Sequence, residues 1–186
     1  MDEVFMKASL CYLTNRCDEG FELINLSIKS SNNDIYLNWE EEEVFCLISM
    51  NIIEKRFQSW IRLNRILVKT DHFKKRQSIK IYIKIILNEI NLYSKNIFLL
   101  INKYLLKPSI SVYLRICYLK IQGDIHFLLS QTSISEKKLE HMHSSLTFYN
   151  QSLEICYHHA FYQLLLSITY NKALVLQFLF LFFSFI

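Results

Sequence analysis

Only three residues of this chain, Gly20, Pro108 and Gly123, are strong helix breakers. A chain of 186 residues with two glycines and one proline has few places where its backbone can turn tightly, whereas helix interiors need neither residue. Apolar residues make up 52% of the chain and recur at helical spacing over long stretches. We therefore predict an all-α fold whose length suits one domain with a sizeable core.

The breaks in this apolar pattern predict about seven helices. Ser31–Asp34 is typical of a turn, and Lys107–Pro108 should stop the fourth helix. Asn38 is the predicted N-cap of the third helix, because Glu40–Glu43 crowd its first turn, where carboxylates face the positive end of the helix dipole. The predicted helices are residues 4–15, 19–30, from 39 to about 69, from about 74 to 106, 110–131, 135–157 and the remainder.

Charge gives little indication of a nucleic-acid partner. The formal charge is +4, and its lysines and arginines are dispersed among acids except at one local cluster. We interpret this cluster as a solvated loop between helices, because nucleic-acid surfaces usually carry a broader basic stripe; an electrostatic site for RNA or anionic lipid is the alternative. The cluster comprises Lys69, Lys74, Lys75 and Arg76.

Cysteine and histidine spacing predicts neither disulfides nor a metal site. No two cysteines have CxxC spacing and the N-terminus lacks the form of a secretory signal, so we expect reduced, inert thiols in a cytoplasmic protein. His141, His143, His158 and His159 stand at spacings that point to different sides of a helix, without HExxH or a cysteine partner. We predict no metal, no cofactor and no enzymatic activity, since no nucleophile, base and orienting group occur together. The cysteines are Cys11, Cys17, Cys46, Cys117 and Cys156.

Several motifs together resemble the 14-3-3 family. Residues 112–124 read VYLRICYLKIQGD and keep the lysine and Gly-Asp of that family's fifth helix. Arg16-Cys17-Asp18-Glu19 resembles its first turn, and Asn51 with Ser59-Trp60 matches its third helix. The similarity covers about residues 3–170 and implies an antiparallel helical array. The fourth-helix matches are Tyr82, Glu89, Lys103, Leu105 and Leu106.

The resemblance implies a dimeric adaptor that clasps phosphoserine or phosphothreonine peptides. In the family, a lysine and an arginine on the third helix and an Arg-Tyr pair on the fifth hold the phosphate. This chain has Met50 and Phe57 at the first two positions and Phe127 and Leu128 at the others. A phosphate needs several fixed donors and positive charges to replace its water, so we expect phosphate recognition to be weakened or lost.

Other residues could contribute to the groove. Lys55, Arg56, Lys120 and His126 lie close in sequence to the substituted positions, but a one-residue shift turns a helical side chain by about 100°, so we do not expect them to replace the lost ligands. The seventh-helix asparagine that binds peptide backbone in the family corresponds here to Ile168 or Thr169, and Asn171 is out of register.

The resemblance also implies a homodimer. In the family, the first two helices pack against the third and fourth helices of the partner. Apolar and small side chains fit these positions, and Arg16 with Glu89 matches one cross-dimer ion pair, whereas Glu19 would face Ile85 where the family has lysine. The positions predicted in the interface are Leu10, Arg16, Ser59, Leu63, Ile66, Tyr82 and Glu89.

The C-terminal sequence is apolar. We divide the chain into a helical domain, residues 1–172, and a tail, residues 173–186, which is the end of the seventh helix or a non-native extension, with the family's last two helices missing. Three interpretations of this tail remain open. They are a truncated gene model or read-through of non-coding sequence, a membrane anchor through residues 160–186, and a helix covered by the dimer or by another protein. We expect a protein-binding adaptor; a tail-anchored membrane protein and a truncated nonfunctional product are the alternatives.

Overall fold

The protein is entirely built from helices over the part of the chain that a computed structural model describes, residues 2–31, 36–159 and 161–184, with side chains described as far as Leu181. This confirms the predicted all-α class. Most of the predicted turn at Ser31–Asp34 lies outside the described residues. The seven α-helices in the described ranges are α1 (Glu3–Leu13), α2 (Cys17–Ser30), α3 (Trp39–Val68), α4 (Phe73–Leu99), α5 (Val112–Thr132), α6 (Ser135–His159) and α7 (Tyr162–Ser184).

Two boundaries differ from the sequence prediction for local reasons. The α1–α2 turn lies two residues earlier than predicted, at residues 14–16 rather than 16–18, because Asn15 adopts a left-handed conformation with φ of 65°, which asparagine tolerates better than most residues. Helix α2 consequently begins at Cys17. The predicted fourth helix changes its winding at Leu100–Leu105, which forms a π-helical segment. Such segments place an extra residue in a turn, which apolar spacing alone does not reveal.

The chain divides into two compact units, and the first comprises α1 to α4. Within it α1 and α2 pack together, both contact α3, and α3 packs against α4. Isoleucine and phenylalanine dominate the core, as expected for helices that bury one stripe. Its fully buried side chains include Phe5, Phe21, Ile24, Ile28, Phe45, Ile48, Ile52, Ile53, Ile90 and Ile97.

A capping box fixes the start of α3. The Asn38 side chain accepts a hydrogen bond from the backbone N–H of Glu41 (3.1 Å), and the Glu41 carboxylate accepts one from the backbone N–H of Asn38 (3.0 Å). Asn38 is thus the N-cap that the sequence predicts. The second oxygen of Glu41 accepts from the backbone N–H of Asp2 at 2.6 Å, which fastens the start of α1 to the same carboxylate.

The second unit begins at Ile101, within the π-helical segment, and comprises α5 to α7. Its closest packing is between α5 and α6 at Gly123, where a β-carbon would lie 2.5 Å from the ring of Tyr149. The Ser145 hydroxyl donates to the Gly123 carbonyl at 2.8 Å, so the two helices also share a buried hydrogen bond. The buried cluster of this unit is Ile116, Met142, Tyr149, Leu153, Cys156, Ile168, Val175 and Leu179.

A pair of histidines crosses the same helix interface. The Nδ1 atoms of His126 on α5 and His141 on α6 are 3.1 Å apart, and His126 also stacks on Phe148. One ring nitrogen donates and the other accepts, so the accepting ring must be neutral. Burial lowers the pKa of His126 to about 4, with the His141 ring as the second cause. Burial lowers the pKa of His141 as well.

Helix α7 has apolar side chains on its exposed face as well as on its buried face. Ile168, Val175 and Leu179 are buried, whereas Leu166 and Phe180 are about three-quarters exposed. Within the described residues, the stretch Tyr162–Leu181 has the length and mean hydropathy (1.6) that would allow a helix to cross a membrane. The helix runs without a break through residues 172 and 173, where the sequence places the start of the tail.

Replacing Gly123 by alanine should destabilise the protein. The new methyl group would overlap the Tyr149 ring, which cannot move freely because its hydroxyl is hydrogen-bonded to Asp124. We expect a net loss of about 1 to 3 kcal/mol in the free energy of unfolding, although alanine itself favours helix by about 1 kcal/mol. Urea denaturation measures the loss. In a Tyr149→Leu background, the same substitution should cost much less, and an equal cost in both backgrounds would contradict this account of the close approach.

The histidine pair should make stability depend on pH. Because the folded-state pKa of His126 is about 4 and its unfolded value is near 6.5, the unfolded chain takes up the proton first as the pH falls. The contribution of neutral His126 to the free energy of unfolding should be fully present above pH ~6.5. It should decline by about 2 kcal/mol towards pH ~4, allowing for partial exposure. Urea denaturation across this range should show a shallower decline in His126→Gln. His143→Gln, an exposed histidine on α6, is the control that should follow the wild type.

Candidate functional site

Two of the substituted phosphate-pocket positions lie on α3. Met50 is half-buried, and Phe57 follows two turns later with only 6% of its surface exposed. The Phe57 ring stacks on Trp60, with ring centroids 5.6 Å apart and planes inclined by 19°. Phe57 therefore contributes to the packing of the first unit, and neither side chain carries a group that could bind an anion.

Arg56 is held by several groups of the first unit. Its Nε donates to Glu89 at 2.9 Å, its Nη2 to Asp18 at 2.7 Å, and its Nη1 to the Ile52 carbonyl at 3.1 Å. The guanidinium also lies over the Tyr93 ring, 4.2 Å from the centroid. Only 15% of the side chain is exposed. Two carboxylates and an aromatic face thus satisfy the cation closest in sequence to Phe57.

Lys55 is directed to the turn between α1 and α2. Its ammonium donates to the Asn15 side chain and lies 3.6 Å from the Cys17 sulfur. The Cys17 thiol in turn donates to the side-chain oxygen of Asn51 at 3.2 Å. Lys55 is mostly exposed and, unlike Arg56, has polar rather than acidic partners.

The other two substituted positions lie on α5 in the second unit. Phe127 is half-buried and packs against the apolar cluster of that unit, with an edge-on contact to Phe178 of α7 at 5.5 Å between centroids. Leu128 is also half-buried. Each of the four substituted positions is thus at least half-buried, with a side chain that can neither donate a hydrogen bond nor carry charge.

A polar cluster centred on Asp124 joins the three helices of the second unit. One oxygen of Asp124 accepts from Lys120 at 2.6 Å, and the other accepts from the Tyr149 hydroxyl at 2.7 Å and from the Asn171 amide at 2.8 Å. The Lys120 and Asp124 side chains are 22% and 11% exposed. Burial, followed by the negative charge of Asp124, raises the pKa of Tyr149, so this phenol stays protonated and remains a donor.

His126 and Thr169 complete the predicted set. His126 faces His141 across the α5–α6 interface and, with a pKa of about 4, is neutral near pH 7. The Thr169 hydroxyl donates to the Leu165 carbonyl one turn earlier on α7 (2.8 Å) and is exposed. Among the described residues, there is no group of three or more histidine, cysteine, aspartate or glutamate side chains placed to hold a metal ion.

The predicted interface positions all lie in the first unit. Leu10, Ile66 and Tyr82 are 57%, 45% and 61% exposed, whereas Ser59 and Leu63 are half-buried. Within a single chain, Arg16 pairs with Glu19 on α2, and Glu89 pairs with Arg56. A cross-dimer pair between Arg16 and Glu89 would therefore have to share these side chains with the partners that they have within the chain.

Sequence reasoning missed most of the polar partners. Asp18 and Tyr93 hold Arg56, and Tyr149 and Asn171 bind Asp124. One signal was present: Asn171 lies in a mainly apolar helix, where a buried amide without a partner is costly, so a distant acceptor could have been expected.

Comparison with known proteins supplies the family. The model of the 14-3-3 protein family matches residues 7–174. The 14-3-3 protein beta/alpha of Mus musculus is 25% identical over 154 residues, which are 82% of this chain and 61% of that protein. The 14-3-3 protein beta/alpha-1 of Oncorhynchus mykiss is 26% identical over 155 residues, 83% of this chain and 62% of its own. The 14-3-3 protein beta/alpha of Xenopus tropicalis is 28% identical over 120 residues, which are 64% of this chain and 49% of that protein.

The chain spans about three-fifths of the length of the mouse and trout relatives. The match nevertheless extends from α1 into α7, and its helices follow one another in the order that the motifs of the sequence imply. On this evidence, the chain belongs to the 14-3-3 family.

Proposed function

We propose that this protein is a cytoplasmic adaptor that binds other proteins through its helical surface and has little or no dependence on phosphate. It performs no chemistry on its partners. Family membership supports the protein-binding role. The observation that carries the loss of phosphate dependence is the replacement of four phosphate-binding groups by Met50, Phe57, Phe127 and Leu128.

The energetic argument follows from the charge of a phosphorylated side chain. A phosphate carries nearly two negative charges at neutral pH and binds well only where fixed donors and cations replace its water. Charge-assisted hydrogen bonds contribute about 1.5 to 3 kcal/mol each, so losing several of them should remove at least ~5 kcal/mol of affinity. That loss corresponds to more than about a thousandfold in the dissociation constant.

Two of the three cations near the substituted positions are poor substitutes because carboxylates already compensate their charges, and the third, Lys55, is a single exposed lysine. Arg56 is bound by Asp18 and Glu89, and Lys120 by Asp124. Recruiting Arg56 to a phosphate would break two ion pairs, and recruiting Lys120 would leave the mostly buried Asp124 carboxylate without its cation, which costs free energy. The low pKa of His126 keeps that ring neutral at the pH where an adaptor would work.

Matched peptides test the loss of phosphate dependence. For a peptide that the protein binds, we expect the phosphorylated and unphosphorylated forms to have dissociation constants within about threefold, because the four substituted positions carry no cation that would favour the phosphate. Fluorescence anisotropy with the full chain measures both. Preference for the phosphorylated form by more than about tenfold would contradict the proposal.

A variant that regains the family's side chains provides the matched control. Met50→Lys with Phe127→Arg and Leu128→Tyr restores three donors while leaving the buried Phe57 in place. We expect this variant to favour the phosphorylated peptide by at least about tenfold, since each charge-assisted bond is worth more than 1 kcal/mol. Circular dichroism would establish that its helical content equals that of the wild type.

The first unit also supports a homodimer. Leu10 on α1 and Tyr82 on α4 are more than half exposed, and Met6 and Leu13 extend the apolar surface of α1. Exposed apolar side chains that form a patch are a common mark of a protein–protein contact surface. Exposed ion pairs contribute only about 0 to 1 kcal/mol, so we expect the apolar contacts, rather than Arg16 and Glu89, to determine association.

Charge substitutions in this surface should separate the subunits. Leu10→Asp with Tyr82→Asp would bury two carboxylates of each subunit in the interface, and we expect the dimer dissociation constant to rise at least about a hundredfold. Analytical ultracentrifugation measures it. Leu26→Asp, a comparably exposed leucine on α2 outside the predicted positions, is the control that should remain dimeric. A wild-type protein that sediments as a monomer at micromolar concentration would refute the dimer.

A tail-anchored membrane protein is the second candidate, favoured by the length and apolar character of α7. The contacts of α7 weigh against it. Crossing a bilayer would remove Ile168, Val175 and Leu179 from the second unit and would break the hydrogen bond from Asn171 to Asp124. Recovery of the protein in the soluble fraction after low-salt lysis would exclude this candidate.

A further inference from the structure

The strongest charge asymmetry of the molecule is at the end of the first unit where α3 turns into α4. Residues 62–84, the basic tip, contain eight lysines and arginines and one acid, Asp71, which gives a formal charge of +7. The whole chain has a formal charge of +4, so the remainder is net negative. The net positive charge of the protein is therefore concentrated on one pair of helix ends.

Most of these cations are free to bind an external anion. Seven of the eight are exposed, and in the part of the chain that the structure describes none of the seven forms an ion pair. The eighth, Arg76, has a structural role, described below. The exposed cations are Arg62, Arg65, Lys69, Lys74, Lys75, Lys80 and Lys84.

The turn that carries them is held in place. Arg76 donates to the carbonyls of Leu67 and Thr70, at 3.2 and 2.8 Å, and so closes the C-terminal end of α3. The Thr70 hydroxyl donates to the Ile66 carbonyl at 2.7 Å. The cations of the basic tip are thus presented on a fixed turn, which reduces the ordering cost of binding.

Two large apolar side chains project from the same turn. Val68 is 81% exposed and Phe73 is 72% exposed, and neither belongs to the predicted dimer positions. Helix α4 also begins with Lys74 and Lys75 in its first turn, where the helix dipole disfavours cations. These two lysines therefore destabilise the start of α4, and an anionic partner would offset their repulsion by the helix dipole.

We propose that the basic tip binds the surface of an anionic lipid bilayer, with its lysines and arginines on the headgroup phosphates and carboxylates and with Val68 and Phe73 in the boundary layer beneath them. Clustered cations with exposed apolar side chains fit a charged surface over an apolar interior. A nucleic acid could bind the same cations, but its phosphate backbone offers no apolar surface for Val68 to contact. This inference is independent of the proposed phosphate-independent peptide binding.

Vesicle sedimentation with the full chain tests the proposal. We expect binding to phosphatidylcholine vesicles that contain about 30% phosphatidylserine, little binding to pure phosphatidylcholine, and loss of binding at about 0.5 M salt. Lys74→Gln with Lys75→Gln should weaken binding to the anionic vesicles by at least about tenfold. Phe73→Ser should weaken it by about fivefold through lost apolar insertion.

The matched control removes the same charge elsewhere in the first unit. Lys29→Gln with Lys95→Gln, two exposed lysines outside the basic tip, should change vesicle binding by less than about twofold. Equal binding to neutral and anionic vesicles, or binding unaffected by Lys74→Gln with Lys75→Gln, would assign membrane contact to another surface such as α7 and overturn the proposal. Binding to a homopolymeric RNA without binding to the anionic vesicles would overturn it as well.

Discussion

The close approach of α5 and α6 at Gly123 determines how the second unit is built. With no β-carbon at that position, the Tyr149 ring can lie against the backbone of α5, and its hydroxyl reaches Asp124. The same carboxylate accepts from Lys120 on α5 and from Asn171 on α7, so one acidic group binds donors from all three helices. Apolar packing supplies most of the stability of such a bundle, while this polar cluster fixes which helix faces meet.

Compensated charge is the corresponding theme in the first unit. Arg56 contacts α2 through Asp18 and α4 through Glu89 while its own backbone belongs to α3. Its stacking over Tyr93 makes the guanidinium part of the packing as well as of the charge balance. A cation used in this way stabilises the fold and is lost to ligand binding. Most of the exposed cations of the unit that form no ion pair lie instead on the basic tip.

The sequence was sufficient for the helices but not for their polar contacts. Scarce glycine and proline with apolar periodicity predicted the all-α class, and Asn38 with Glu41 lies within one helical turn, so the start of α3 could be read directly. Asn171 and Asp124 are 47 residues apart, and no local pattern relates them. The π-helical segment at Leu100–Leu105 also left no signal, because it changes backbone winding without changing the apolar spacing enough to notice.

The substituted pocket positions illustrate the same limit. That Met50, Phe57, Phe127 and Leu128 cannot bind phosphate follows from their side chains and could be stated from the sequence. That Arg56 is sequestered by two carboxylates depends on α2 and α4 lying beside α3, which requires the three-dimensional arrangement.

The double use of Glu41 has a consequence for the N-terminus of the protein. One oxygen closes the start of α3 through Asn38, and the other holds the backbone of Asp2. The start of α1 and the start of the longest helix therefore share one carboxylate, and each contact helps to orient Glu41 for the other. A fusion or a processing step that displaces Asp2 would therefore remove a hydrogen bond from the carboxylate that caps α3, 39 residues along the chain.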